Sequence, residues 1–517
     1  MRKRRTGRLS TVAAAAGLAA ALCVLPLGPG GATTAQAAAG CQAGTESDFN
    51  GDGIADVAIA DPEGTVSGRD QAGLVRVVYG GGKGTAEISQ DTDGIPGAAE
   101  RGDRFGYALA VHDANQDGCS DLVVGIPYEA LGSVPEAGLV QVVHGSPDGL
   151  GKGPAVKEYL QGSGSGSLAA SAAEAGDWLG FSLAAGHTTS GEPFLLIGVP
   201  GEDLGSTQDA GSSHYLRGST NIAVHQDKPG VSGVAEQDDR FGYSVAATSR
   251  HLAIGNPGEA IGAETFSGGV QVLSHTLSSA GIPTPLAGLD QNTPGINGVA
   301  EAGDEFGAAL AMVPFRTDTI SSPAHSLLAI GSPGEDTSTG EDAGRVVVVE
   351  VTAAGNVKQT ADIHQAYAGV HGVGEDGDYF GRHLAAVNRA PSSVGRPDTM
   401  LLAVGIPGKD GGDGVRDAGA VHVFPIVGDV GASDVWLTKG AKGLPGEPGP
   451  QEYVGTSLHA TAGQLYVGVP YGAEADQGLY RLPWANVIAE GTAAPTVHKP
   501  GAGGLPADRK AFGAVVR

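Results

Sequence analysis

The sequence predicts an all-β protein, a seven-bladed β-propeller closed by pairing of its N- and C-terminal segments in one blade. Three observations predict it. A phrase of the form E-x-G-D-x-F-G returns seven times, at spacings of 58 to 74 residues. An apolar stretch ending in G-x-P accompanies each copy. The chain also opens on a unit that lacks its F-G half and closes on one that lacks its G-x-P half, so the two ends together make one unit. Repeats of this length, each holding short strands, build propellers.

Along the chain, residues 1–37 have the pattern of a secretory signal. Arg2, Lys3, Arg4, Arg5 and Arg8 are its cations, an apolar run extends from about Val12 to Leu27, and Ala35, Gln36 and Ala37 form the cleavage site. That run is shorter than the ~20 apolar residues of a membrane span. The expectation is a secreted, extracellular chain with no membrane span, whose residues 38–517 are the propeller.

The propeller opens with Val57–Ile59 and the variant phrase Ala60, Asp61, Pro62. The F-G phrase then stands at 100–106, 174–180, 236–242, 301–307 and 375–381, with degenerate copies ending at Gly455 and Gly513. The G-x-P phrase stands at 125–127, 198–200, 255–257, 331–333, 405–407 and 468–470. A glycine leads an alternating run at 73–79, 138–143 and 344–349. Alternation between glycine breaks is strand rather than helix. If 510–516 pairs with 57–59 in the blade that also holds 75–79, the ring closes and no sheet edge stays open. An open solenoid would instead need caps at both ends.

Composition excludes several classes. Glycine supplies 87 of 517 residues, against a usual ~7%, but not at every third position, which excludes collagen. Apolar residues at 41% can build a core, which excludes wholesale disorder. Asp and Glu outnumber Lys and Arg by 57 to 31, for a net charge of −26. No nucleic-acid partner is expected, because phosphate binding needs a basic face.

These phrases resemble the FG-GAP repeats of the seven-bladed propeller at the N-terminus of integrin α subunits. The likeness covers nearly all of 38–517. It is strong in five units and weak in the last two, where Val454 replaces the phenylalanine and the acidic phrase decays. It implies the integrin-like propeller fold, calcium in the loop between the first and second strands of a blade, and ligand contacts on the opposite face.

Two loops fit calcium on their own residues. Asp48, Asn50, Asp52, Ile54 and Asp56 occupy positions 1, 3, 5, 7 and 9 of D-x-N-x-D-G-x-x-D, and Asp113, Asn115, Asp117, Cys119 and Asp121 repeat the set. A hard cation of this size takes six to eight oxygens. Positions 1, 3, 5 and 9 would offer side-chain oxygens, and Ile54 and Cys119 their backbone carbonyls. Gly53 and Gly118 permit the sharp turn. An EF-hand would need Glu at position 12, where Ile59 and Val124 stand. The corresponding loops of the other units lack the ligand set, so two Ca2+ sites are expected. The alternative is a pair of acidic turns held by their own side chains.

Cys23 falls in the signal, which leaves Cys41 and Cys119. Cys119 sits inside the second loop and Cys41 seven residues before the first; neighbouring blades present equivalent loops on one face, so in an oxidising compartment the two are expected to form a disulfide. Arg101, Gly102 and Asp103 spell RGD, but in the frame of the repeated phrase, so the tripeptide reads as architecture.

No H-E-x-x-H or G-x-S-x-G motif is present, so no catalytic residue is assigned. The expected function is a non-catalytic, monomeric binding or adhesion module for an extracellular protein or glycan. The alternative is a polysaccharide hydrolase or lyase with a carboxylate site at the central channel. Only three tryptophans are present, which counts against sugar recognition by aromatic stacking.

Overall fold

The computed structural model describes residues 40–317, 324–367, 369–489 and 491–517. The signal assigned to 1–37 lies outside them.

Seven four-stranded antiparallel sheets form the blades. From the centre outward, blade 1 contains Val515–Val516, Val57–Asp61, Leu74–Val78 and Thr85–Ile88. Blade 2 contains Ala108–His112, Asp121–Ile126, Leu139–Val143 and Lys157–Tyr159. Blades 3 to 7 repeat the order, with inner strands Ser182–His187, Ser244–Ala247, Ala309–Phe315, His383–Asn388 and Ser457–Ala460. Each inner strand contacts the next, and Val515–Val516 contacts both Ser457–Ala460 and Ala108–His112, so the ring is closed.

The closing strand is shorter than the segment 510–516. Val516 pairs with Ile59 and Val515 with Ala60. Ala58 and Arg517 exchange both backbone hydrogen bonds, at 2.7 and 3.0 Å. Residues 510–514 form the turn that carries Phe512 and Gly513 into the ring. Asp61 fastens this turn, accepting the N–H groups of Lys510 and Ala511 at 3.0 and 2.8 Å.

The core is divided into seven apolar clusters, one between each pair of neighbouring blades. Strand alternation explains the division, since successive side chains point to opposite faces. In blade 1, Val57 and Ile59 face blade 7 while Ala58 and Ala60 face blade 2. The F-G phenylalanine position sits once in each cluster: Phe105, Leu179, Phe241, Phe306, Phe380, Val454 and Phe512, all at most 1% exposed. Leu179 and Val454 keep the burial but fill less volume.

The glycines of the two phrases meet. A Cβ on Gly125 would lie 2.2 Å from the carbonyl oxygen of Gly180 in the next blade, and one on Gly198 would lie 2.0 Å from that of Gly242. Backbone approaching this closely leaves no room for any side chain. At the seam the G-x-P position is Ala60, whose Cβ fits beside Gly106.

Candidate metal loops and binding face

The two aspartate loops have the same hydrogen-bond pattern. Asp48 Oδ1 and Oδ2 accept the N–H groups of Asp52 and Gly53 at 3.1 and 2.7 Å. Asp113 does the same with Asp117 and Gly118, at 3.1 and 2.9 Å. Asn50 and Asn115 each accept the position-5 N–H at 3.0 Å. Asp52 and Asp117 each accept the position-7 N–H, from Ile54 and Cys119, at 2.9 Å. The side chains thus turn inward over a tight coil.

Position 9 is anchored differently. Asp56 accepts N–H groups from Phe49 and Gly80 at 2.8 and 2.7 Å. Asp121 accepts them from Ala114 and Gly145, both at 2.9 Å, with His144 Nδ1 at 3.1 Å. These carboxylates tie the loop to the base of its blade. Burial, with the negative charges of Asp48 and Asp52, lifts Asp56 to about 6. The Asp121 carboxylate raises the His144 imidazole.

Asp52 Oδ2 is buried and has no hydrogen-bond partner, while Asp117 Oδ2 accepts from Asn115 Nδ2 at 3.0 Å. An orphaned carboxylate oxygen among inward-turned acidic groups fits a hard cation.

Cys41 and Cys119 are joined as a disulfide, with Cα atoms 5.1 Å apart. Cys41 lies over both loops: a Cβ on Gly51 would fall 2.6 Å from its Cα, and one on Gly118 2.9 Å from its carbonyl oxygen. Ser120 and Ser146 donate N–H groups to the carbonyls of Asp48 and Phe49 at 2.9 and 3.0 Å. The loops of blades 1 and 2 therefore form one hydrogen-bonded, cross-linked unit.

In an antiparallel meander the F-G turns and the hairpins after G-x-P lie at the other end of the strands from these loops. There the aspartate of the acidic phrase is buried and accepts the N–H three residues earlier. Asp103, Asp177, Asp239, Asp304 and Asp378 each bind the N–H of the phrase glutamate at 2.5 to 2.9 Å. Asp103 is 2% exposed, so the RGD aspartate is enclosed by its own turn, as its frame implied.

Beside each of these aspartates lies the residue two places after the G-x-P proline. In blades 2 to 5 it is Glu129, Glu202, Glu259 and Glu335, each bonded to a glutamine: Gln90, Gln161, Gln226 and Gln291. Burial raises these carboxyls, Glu129 and Glu259 to about 7 and Glu202 to about 8. In blade 6 the place is taken by Lys409, which donates to Glu375 and Asp378 at 2.7 and 3.2 Å. In blade 7 Lys439 replaces the glutamine and Glu452 the aspartate, 2.7 Å apart.

The residue before six of the seven F-G phenylalanine positions adopts positive φ; Ala511, before Phe512, does not. The six are Arg104, Trp178, Arg240, Glu305, Tyr379 and Tyr453, between 48° and 57°. A side chain here is strained, and the reward is position, because the inner strand begins just beyond and the residue stands at the channel mouth. On the side of blades 2 to 4, Tyr107, Phe181 and Tyr243 follow one another with ring centroids 5.0 and 4.9 Å apart. Tyr128 and Trp178 join them, and the Arg104 guanidinium lies 5.0 Å above the Tyr128 ring. Sequence reading by tryptophan count missed this patch. The signal was the residue on each side of F-G, aromatic or cationic in blades 2 to 4. On the side of blades 5 to 7 a cavity of about 640 Å³ is lined by Glu305, Asp342, Tyr379, Arg382, His383 and Asp417, among others, with Arg382 and Glu305 paired at 3.0 Å.

Residues 105–143 match the FG-GAP repeat family. Mouse phosphatidylinositol-glycan-specific phospholipase D is 40% identical over 107 residues, which are 20% of this chain and 13% of that protein. The bovine phospholipase is 32% identical over 190 residues, 34% of this chain and 21% of that protein. Integrin alpha-PS2 of Drosophila melanogaster is 38% identical over 109 residues, 20% of this chain and 7% of the integrin. The chain thus spans about a fifth or less of the length of these relatives. Among solved structures, the periplasmic gluconolactonase of Pseudomonas aeruginosa aligns over 89% of this chain and 98% of its own, with a TM-score of 0.42 and 11% identity.

Proposed function

Because this chain is a seven-bladed FG-GAP propeller of the integrin-like kind, we propose that it is a secreted, monomeric, calcium-stabilised binding module. Its ligand is an extracellular protein or glycan, taken at the channel mouth opposite the aspartate loops. The observation that carries the proposal is the continuous aromatic and cationic patch of Arg104, Tyr107, Tyr128, Trp178, Phe181 and Tyr243. Aromatic rings with an adjacent arginine are the residues that dominate binding energy in protein contacts and that stack on apolar ligand faces. The phrase aspartates of these blades, Asp103, Asp177 and Asp239, are buried in their own turns, and the exposed Glu136 accepts from Trp178 Nε1 at 3.0 Å, which helps to fix that ring.

Residues 1–37 would direct export, and the disulfide suits an oxidising compartment. Among the described residues no helix is long and apolar enough to cross a membrane. Calcium would be held by Asp48, Asn50, Asp52, Asp56 and the Ile54 carbonyl, and by Asp113, Asn115, Asp117, Asp121 and the Cys119 carbonyl. Bound there, it neutralises carboxylates that otherwise repel one another.

A printed array of glycans and extracellular-matrix proteins tests the binding reading. Trp178→Ala and Tyr243→Ala are expected to weaken the wild-type hit by about tenfold or more, with unchanged circular dichroism. The cavity lined by Glu305, Asp342 and Asp417 favours the second reading, hydrolysis or lysis of a polysaccharide. Glycan cleavage by the wild type that Glu305→Gln abolishes would replace the first reading with the second.

A further inference from the structure

Blade 6 contains two imidazoles and a carboxylate that neither the aspartate loops nor the channel mouth uses. His422 lies on the third strand, Ala420–Pro425. Asp434 immediately precedes the outer strand, Val435–Leu437. His371 lies in the segment 369–382 that leads into blade 6 from blade 5. Asp434 Oδ2 is 2.5 Å from His422 Nε2, and its Oδ1 is 2.9 Å from His371 Nδ1. The His371 backbone N–H also donates to Oδ2, at 2.8 Å. One ligand atom of each side chain lies within 4.8 Å of the others.

Other blades tether the incoming segment more simply from the matching strand position. Gln141 donates to the Pro96 carbonyl at 2.9 Å. Gln271 accepts the Ser232 N–H at 2.8 Å. Arg76 donates to the Asp508 carbonyl and carboxylate at 2.9 and 3.2 Å. A tether needs one hydrogen bond. Blade 6 instead brings two imidazole nitrogens to one carboxylate.

The His422 ring is held by aromatic packing, with ring centroids of Phe424 at 4.3 Å, Trp436 at 5.3 Å and Phe380 at 6.3 Å. Its Nδ1 is buried and has no partner, so Nε2, facing Asp434, is the only polar outlet of a completely buried ring. His371 remains 69% exposed and leaves one side of the cluster open to solvent.

Two imidazoles and a carboxylate are the donor set of zinc and similar borderline cations, not of calcium. Zinc–ligand bonds of about 2.0 Å place tetrahedral ligands roughly 3.3 Å apart; the two imidazole nitrogens lie 2.5 and 2.9 Å from the Asp434 oxygens, hydrogen-bond contacts that an entering ion would replace and widen. We propose that His371, His422 and Asp434 bind one zinc-like divalent cation, with solvent as the fourth ligand on the His371 side. The ion clamps segment 369–382 to the outer half of blade 6.

The test is zinc titration of the full chain in saturating calcium, which occupies the aspartate loops. Calorimetry gives stoichiometry, and Trp436 beside His422 reports by fluorescence. One zinc per chain is expected, with a change in emission that Trp436→Phe removes while binding persists. His371→Ala alters an exposed side chain, so the fold is retained, and affinity should fall by about tenfold or more. Asp434→Asn should do the same. Absence of a stoichiometric zinc site in the wild type, or zinc affinity unchanged in both variants, would overturn the proposal.

Discussion

At the scale of single residues, the two aspartate loops are near copies whose surroundings differ. Asp52 Oδ2 is buried without a partner, whereas Asp117 is exposed and bonded to Asn115. The first loop also enters blade 1, which both chain ends build. A cation that binds only the folded chain raises stability by mass action. If the loops behave as extracellular calcium modules, with affinities on the order of 0.1–1 mM, the melting temperature should climb over that range of added calcium. Asp52→Ala should remove the larger part of that gain and loosen the seam, while Asp117→Ala should remove the smaller part. Thermal unfolding with chelator and with calcium, for wild type and both variants, checks this. A wild-type melting temperature indifferent to calcium would reduce both loops to acidic turns. The ligand positions themselves were legible in sequence, because a nine-residue coil brings alternate side chains together without help from the rest of the fold. The engagement of Asp56 and Asp121 by Gly80 and Gly145 was not legible, because those donors are 24 residues away.

At the scale of the repeated element, the buried acidic groups make the propeller sensitive to pH. Burial is the leading cause in each case: Asp103 rises to about 6, Asp177, Asp239 and Asp304 to about 7, and Glu202 to about 8. These values exceed those of the unfolded chain, near 4, so the folded state holds protons more tightly. The stability they contribute is complete below pH ~4 and is lost as pH rises through about 6 to 8. In saturating calcium the melting temperature should fall by on the order of 5 °C between about pH 7 and pH 9, a range in which the histidines that burial lowers to about 4, among them His112, His214, His251 and His275, are largely uncharged in both states. Glu202→Gln should flatten that profile, since the amide carries no proton to lose. A melting temperature that rises with pH over this range would contradict the assignment. Lys409 and Lys439 do the same work in blades 6 and 7 by pairing, so those blades should contribute little to the slope. The sequence shows the carboxylates, but only packing shows which of them lose water.

At the scale of the whole molecule, stability depends on closing the ring. Val515–Val516 is only two residues long, yet it completes blade 1, seats Phe512 in the cluster between blades 7 and 1, and holds Val57 and Ile59 under cover. Removing residues 513–517 leaves the edge of Val57–Asp61 unpaired and opens that cluster to water. The truncated chain should unfold in a broader, less cooperative transition, more than about 10 °C lower, as scanning calorimetry would record. Reducing the Cys41–Cys119 bond should cost less, at most about 4 kcal/mol from the unfolded-chain entropy of the loop it closes, and should leave the transition sharp. If truncation proves milder than reduction, the strand is not the main lock on the ring.

The sequence by itself determined the repeat, the number of blades, the strand order within each and the closure of blade 1 from both ends. Each of these is set by local periodicity and by glycines that only close backbone contact requires. It also determined which two loops concentrate oxygen ligands, and that Cys41 and Cys119 were the pair available to bond. The tertiary structure decided what is assembled from different strands and blades: the aromatic patch from Tyr107 to Tyr243, the glutamine–glutamate–aspartate groups, and the cluster of His371, His422 and Asp434. The physical reason is distance along the chain. Residues within one turn constrain each other through bonds and hydrogen bonds that spacing reveals, whereas these groups are separated by up to 136 residues and meet only because consecutive strands and blades pack side by side.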